Sequence, residues 1–345
     1  MKTMMLTGIR QMEMREVPDP NISADTDVLL KIAMVGVCGS DVHYYNNGNI
    51  GSQIVQYPFP VGHECSAIVE KTGSAVTRVK PGDRVAVEPA ISCGVCDQCL
   101  TGRPHTCRHL CFLGCPGQTA GCLSDYIVMP EQCCYPVSSD ITLEQAALSE
   151  PLTIGFYAAK RSIAMKGAKI AILGCGPIGL SVMVCARALG VETIYMTDKI
   201  PERLAVARSA GADWAGNPDK DDIISNISKI EPLLLDAVFE CCGEQEALDQ
   251  AVDILKPGGK LMLIGIPKKE RISFIIDKIR RKEICIQNVR RQCESLQSTL
   301  AFMEQGLINV DFMVTHRFEF SQTKEAFDLV ADYRDGVVKA MISFD

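Results

Sequence analysis

The apolar and polar positions of this chain follow two different rhythms. Up to about Glu150 the apolar residues come in short alternating runs, Val28 to Val35, Ser66 to Glu70, Arg84 to Val87 and Leu123 to Val128, parted by glycine and proline as in Lys80-Pro81-Gly82-Asp83. Alternation with a period of two turns one face of each strand to a core, so this stretch predicts a β-rich domain of barrel or sandwich type. After Pro151, apolar runs that begin at or contain Ile170, Thr193, Ala237, Leu261 and Ile284 alternate with amphipathic stretches of helical period. Strands apolar on both faces and separated by helices predict a parallel, doubly wound sheet. The alternation stops near Arg290, Glu294 to Gly306 reads as a helix, and the tail from Phe312 to Asp345 returns to short strands with one helix over Ser321 to Tyr333. The expected organisation is a β-rich domain built from 1–151 and 290–345, with an α/β domain inserted at 152–289. No internal repeat or low-complexity segment is visible.

The first apolar run of the α/β part carries chemistry. Ile170 to Leu173 is long enough for a buried strand and too short for a helix. Gly174, Gly176 and Gly179 follow in GxGxxG spacing, then helix formers from Ile178 to Leu189, a stop at Gly190, and a second strand, Thr193 to Thr197, that ends on Asp198. In that order the first glycine permits a tight turn, the second admits a pyrophosphate to the backbone, and the third lets helix and strand pack closely. Pro177 and Ile178 open the helix whose N-terminus faces the phosphates. Asp198 is placed to accept hydrogen bonds from an adenosine ribose, which favours NAD, while Lys199 and Arg203 stand close enough in sequence to soften that preference.

Composition narrows the class. A length of 345 residues allows about two domains. The net charge of −7 argues against a general nucleic-acid surface, which needs a basic patch. No apolar run reaches bilayer length and Met1 to Met14 lacks the core of a secretion signal, so the chain reads as cytoplasmic. Most of the seventeen cysteines, including Cys133, Cys134, Cys241 and Cys242, therefore read as small core residues in a reducing compartment. Lys268, Lys269 and Arg271 form a short basic run that reads as a solvated loop.

Two groups of residues have the character of metal ligands. Cys93, Cys96, Cys99 and Cys107 fall within a short polar stretch, and four thiolates at such spacing close a tetrahedral zinc site that staples the loop. Arg103 and Arg108 are placed to offset its charge, and His105 and His109 to sit on its surface. The second group is dispersed: Cys38 in GVCGSDVHYY, then His63 and Glu64 in PVGHECSAIVE. Three protein ligands of these types leave a fourth position open to water or an alcohol. A histidine beside a glycine also fits a turn or a core; the company of a nucleotide motif and a four-cysteine lobe is what favours a metal.

These motifs, VCGSDVHYY, GHE, the four-cysteine lobe, SEPL, GCGPIG and VTHRF, resemble those of the zinc-dependent medium-chain alcohol dehydrogenases, the sorbitol and polyol dehydrogenase branch above all, over nearly the full length. The resemblance implies a β-rich, barrel-like catalytic domain split in sequence around a Rossmann coenzyme domain, with the active site in the cleft between them. It implies one catalytic zinc on Cys38, His63 and Glu64, with Glu150 reaching it through water or directly, and one structural zinc on the four-cysteine lobe. It makes Ser40 and His43 a proton relay, Tyr44 and Phe112 walls of the substrate pocket, and Arg291 a contact of cofactor and substrate. Here the chain departs from the family: Gln292 stands where a tyrosine is usual and Glu294 where an asparagine is usual, which points away from sorbitol itself. His316 in VTHRF reads as structural.

The implied reaction is reversible, NAD-dependent oxidation of a secondary alcohol in a polyol or sugar-derived small molecule by a homotetramer or homodimer. Zinc acidifies a hydroxyl, Ser40 takes the proton and His43 passes it on, and nicotinamide accepts the hydride. The competing readings are an amino-alcohol or sugar-acid dehydrogenase of the same superfamily, suggested by Arg290 beside Arg291, and a zinc module that binds nucleic acid or protein.

Overall fold

The computed structural model describes residues 1–267 and 269–344; Lys268 of the basic run and the C-terminal Asp345 lie outside the described residues. The chain forms two compact units, one of 1–150, 296–306 and 314–345, the other of 151–295 and 307–313.

The first unit is organised on the strand Asp27–Gly36, in which Val28, Leu30 and Ile32 are buried at alternate positions. One edge of it pairs with Glu64–Thr72, which pairs in turn with Arg84–Val87 and then Cys134–Pro136. The other edge is shared: Tyr126–Pro130 takes the first half and Lys339–Ser343 the second, all antiparallel. Val314–Glu319 adds a parallel strand to Lys339–Ser343. Leu30, Ile32, Ala67, Val69, Val85, Val87 and Ile127 fill one continuous core. The alternating run at Leu123 becomes a strand only from Tyr126. Leu123 is buried because its backbone bonds Met4 and Val61, so there alternation marks burial rather than a ladder.

The second unit holds six parallel strands in the order Trp214–Gly216, Thr193–Thr197, Lys169–Leu173, Leu235–Glu240, Leu255–Leu263 and Cys285–Asn288. This is the doubly wound dinucleotide-binding order, and it reverses direction between Lys169–Leu173 and Leu235–Glu240, where such sheets bind ligands at their carboxyl ends. Pro177–Ala188 is the helix of the first crossover, and Gly190, at a φ of 90°, ends it as the sequence suggests.

Two helices begin later than their periodicity implies. Glu294 has a φ of 50°, which a right-handed helix excludes, so the expected helix runs over Leu296–Glu304. Phe320–Gln322 forms a 3-10 turn, and Thr323–Ala331 is the helix of the tail. Among the described residues, no helix is long and apolar enough to cross a membrane.

Candidate active site

The strand ladder assembles the dispersed ligand set. Asp27–Gly36 pairs Gly36 with Glu64, and two residues past that strand Cys38 caps the helix Gly39–Asn47. His63 precedes the partner strand directly. The ligand atoms of Cys38, His63 and Glu64 consequently lie within 4.8 Å of one another, although His63 is 5% exposed and Glu64 only 1%. A thiol, an imidazole and a carboxylate converging in so dry a place form a donor set suited to zinc. Glu150 is buried in the same unit; burial pushes its carboxyl up to about 8, His63 opposes the rise and Glu64 and Glu88 add to it. Like charges this near, away from water, are what a divalent cation would relieve.

Three supporting residues escape sequence reasoning. Asp41 is fully buried; its Oδ1 accepts from the Gly62 amide at 3.3 Å, and its Oδ2 lies 3.3 Å from His63 Nδ1. A buried carboxylate beside Nδ1 favours the tautomer protonated there, which leaves Nε2 its lone pair for a metal. Lys339 is 1% exposed, and its Nζ donates to Glu64 Oε2 at 2.5 Å and to Val37 O at 3.1 Å. Gly36 is the third, since a Cβ there would collide with Glu64 Oε2. The motif GSDVH offers a signal for Asp41, but Lys339 is 275 residues from Glu64 and no local pattern joins them.

Of the expected relay and pocket residues, Ser40, His43 and Tyr44 lie on the helix that Cys38 caps. Ser40 Oγ donates to Cys38 Sγ at 3.3 Å, and half-buried His43 is three residues further along Gly39–Asn47. Tyr44 is buried with its hydroxyl on Gln53, and the Phe112 ring tilts against His63 with centroids 5.2 Å apart. Arg291 belongs to the other unit, at a φ of 54°, and Gln292 accepts from the Ser295 amide at 2.8 Å. His316 bonds Thr315 and Asp335, which fits a structural residue.

In the cysteine lobe the sulfur separations are 3.4 Å for Cys93 and Cys107, 3.6 Å for Cys96 and Cys99, 3.8 Å for Cys96 and Cys107, and 4.0 Å for Cys93 and Cys99. Four sulfurs about 2.3 Å from a tetrahedral zinc stand about 3.8 Å apart, so the residues fit the ion. The amides of Cys93 and His109 both donate to Cys107 Sγ at 3.3 Å, which stabilises negative sulfur. Arg108 is bound to Asp97 through a paired contact, and its backbone, with that of Cys99, draws the Cys96 thiol down to about 6. His109 is exposed as expected, but His105 is buried, because the turn Pro104–Thr106 folds it inward. Among the other cysteines, Cys133 and Cys134 are buried as expected, whereas Cys241 is half-buried and Cys242 exposed, because they follow the end of Leu235–Glu240 instead of lying within it.

The glycine turn of the second unit has the features a dinucleotide requires. Gly174 has a φ of 110°, and a Cβ on Gly179 would strike the Gly174 carbonyl. At Gly176 the nearest atom to an added Cβ is Arg203 Nη1 at 3.6 Å, so internal packing does not demand glycine there, whereas an approaching phosphate does. Pro177 is the first residue of the helix and Ile178 the second. Asp198 Oδ2 accepts from Cys175 N at 2.7 Å and Oδ1 from Ile200 N at 2.9 Å, which fixes the carboxylate at the strand end with acceptor capacity to spare. Lys199 is engaged by Asp219 at 3.0 Å and Glu246 at 3.6 Å, and Arg203 is buried.

A dinucleotide-type sheet together with a zinc-type donor cluster is the make-up of a metal-assisted dehydrogenase. The chain belongs to the zinc-binding alcohol dehydrogenases: residues 24–139 match the family described as alcohol dehydrogenase GroES-like domain, and residues 177–305 the family described as zinc-binding dehydrogenase. It is 35% identical to a sorbitol dehydrogenase of Bacillus subtilis over 99% of this chain and 97% of that one. It is 34% identical to an L-idonate 5-dehydrogenase of Vitis vinifera over 94% of this chain and 90% of that one. Among solved structures it resembles an Escherichia coli oxidoreductase/dehydrogenase of unknown specificity, with a TM-score of 0.93, 31% identity and coverage of 100% of this chain and 99% of that one.

Proposed function

We propose that this protein is a zinc-dependent NAD oxidoreductase that interconverts a secondary alcohol of a polyol or sugar-derived substrate and the corresponding ketone. The convergence of Cys38, His63 and Glu64 within 4.8 Å carries the reading, because three such donors make a centre that can take an alcohol as a further ligand. Similarity to sorbitol dehydrogenases over almost the whole chain supplies the substrate class. The unit of 1–150, 296–306 and 314–345 is the catalytic domain in this reading and that of 151–295 and 307–313 the coenzyme domain. The enzyme is cytoplasmic and works as a homodimer or homotetramer.

Zinc held by Cys38, His63 and Glu64 supplies the Lewis acidity that brings an alcohol proton into reach near neutral pH, and NAD supplies the hydride acceptor. The chain's own residues do the rest. Asp41 keeps the His63 ring oriented, and Lys339 holds one oxygen of Glu64. The Ser40 hydroxyl, within hydrogen-bond distance of Cys38 Sγ, receives the substrate proton, and His43 passes it to solvent. Glu150 reaches the metal centre through water or directly. Tyr44 and Phe112 contact the rest of the substrate. Gly174, Gly176, Pro177, Ile178 and Gly179 cradle the pyrophosphate, Asp198 takes the ribose diol, and Lys199 and Arg203 border it. The four-cysteine lobe holds the second zinc.

The test is a panel of polyols, sugar acids and amino alcohols followed by NADH absorbance. Oxidation of polyols at a secondary carbon with much higher efficiency than ethanol is the expected result. Reaction with sugar acids or amino alcohols alone would replace the polyol reading, and the similarity to an L-idonate dehydrogenase makes the sugar acids the arm to watch.

A further inference from the structure

Gln53 belongs to none of the motifs that define the family resemblance, yet it joins two buried groups, the Tyr44 hydroxyl and the Cys115 thiol. It lies on the short strand Gln53–Ile54, which pairs with Asn49–Ile50 across a Gly51-Ser52 turn, with Gly51 at a φ of 55°. The Gln53 amide nitrogen donates to Cys115 Sγ at 2.8 Å, and its oxygen accepts from the Tyr44 hydroxyl at 3.1 Å. The two contacts reinforce each other. Cys115 is buried, and its Sγ stands 3.9 Å from both the Pro116 carbonyl and the Tyr44 hydroxyl; with the thiol proton on the carbonyl, sulfur is left as an acceptor and turns the amide NH2 toward it. The amide oxygen is thereby turned to Tyr44.

The triangle adjoins the proposed pocket. Tyr44 is on the helix that begins after Cys38. Cys115 closes a turn on Phe112, its amide donating to the Phe112 carbonyl at 3.1 Å, and the Phe112 ring packs against His63. A displaced Gln53 therefore disturbs pocket wall and phenol together.

We propose that Gln53 is a positioning residue for substrate selection: it fixes the direction of the Tyr44 proton, so that Tyr44 meets the substrate as a hydrogen-bond acceptor and favours groups that donate. The proposal rests on the polyol reading above, with Tyr44 in the pocket. Since the phenol has one proton and Gln53 takes it, the oxygen accepts from a substrate hydroxyl and repels an acceptor-only group such as a carboxylate at that point. Hydroxyl-rich neutral substrates then gain over sugar acids.

The test compares Gln53→Leu and Gln53→Glu with the wild type on three probes: xylitol, xylonate and 2-butanol. Zinc content and thermal midpoint are measured alongside. In Gln53→Leu the efficiency ratio of xylitol to 2-butanol should fall about tenfold, mainly through KM, and the ratio of xylitol to xylonate should narrow. Gln53→Glu keeps an acceptor for Tyr44 and should restore most of the preference over 2-butanol. A Gln53→Leu variant that keeps both ratios, or loses activity on all three probes equally, overturns the proposal while leaving the polyol reading intact. A wild type that oxidises 2-butanol better than xylitol overturns both.

Discussion

Glu64 has two partners competing for one carboxylate. Its Oε2 is held by Lys339 at 2.5 Å, while one of its oxygens also belongs to the cluster with Cys38 and His63. Both residues are almost wholly buried, where an ion pair survives only because each charge answers the other. Lys339→Met should therefore destabilise the zinc-free protein by about 3–5 kcal/mol, the usual consequence of leaving one buried charge alone. The loss should be smaller with zinc bound, because the cation then answers Glu64. Urea unfolding with and without metal measures both values, and equal losses would mean that Lys339 acts by packing alone. Glu64→Gln keeps the shape and removes the ligand charge, so zinc retention and turnover should fall together. A zinc-replete, fully active variant would make Glu64 a bystander and leave Glu150 as the acid that matters. On the cofactor side, Asp198→Ala should lower efficiency with NAD by about 10–100-fold, the range expected for a charged hydrogen bond, and narrow the gap to NADP. Unchanged selectivity, or a wild type that prefers NADP, would remove Asp198 from its assigned role.

At the scale of elements, the ladder between Asp27–Gly36 and Glu64–Thr72 decides where the ligands meet. Gly36 stands opposite Glu64, and a methyl group there would occupy the place of the carboxylate oxygen. Gly36→Ala should consequently lower zinc from two ions per chain to one, with the cysteine lobe retaining its metal. Metal analysis after gel filtration checks this, and a variant with both ions would show that Glu64 can swing aside. The same ladder explains what the sequence made legible. Val28, Leu30 and Ile32 alternate because one face of the strand is core, and the run at Ile170 is continuous because both faces of a parallel sheet are covered. The glycine turn and the four-cysteine lobe were readable because each is complete within a short span. Lys339 and Gly36 were not, since their roles depend on strand register and on a fold that brings Lys339–Ser343 against Asp27–Gly36. Helix starts were misplaced where a single residue such as Glu294 adopts positive φ, which hydrophobic periodicity does not encode.

For the molecule as a whole, the two metal sites differ in how much else holds their surroundings together. The cluster of Cys38, His63 and Glu64 is built on strands whose core is filled by Val35, Val37 and Cys65, so its scaffold stands without an ion. The lobe from Cys93 to Cys107 has no such support: Val95 and Leu100 are among its most exposed residues, and its regular structure is one helical turn, Asp97–Leu100, and the turn Pro104–Thr106. Four thiolates around one ion are the lobe's principal cross-link, and ligand exchange there requires several sulfurs to let go in succession. A chelator should accordingly act in two stages. The first zinc should leave with the activity and return with it when zinc is restored, because the scaffold persists. The second should leave far more slowly, together with new protease cleavage between Gly94 and Arg108, and its loss should not reverse as readily. Timed dialysis against a chelator, with metal content, NADH formation and proteolysis followed on the same samples, separates the stages. Activity that survives until the second zinc is gone, or a single zinc in fully active protein, would overturn the division of labour between the two sites.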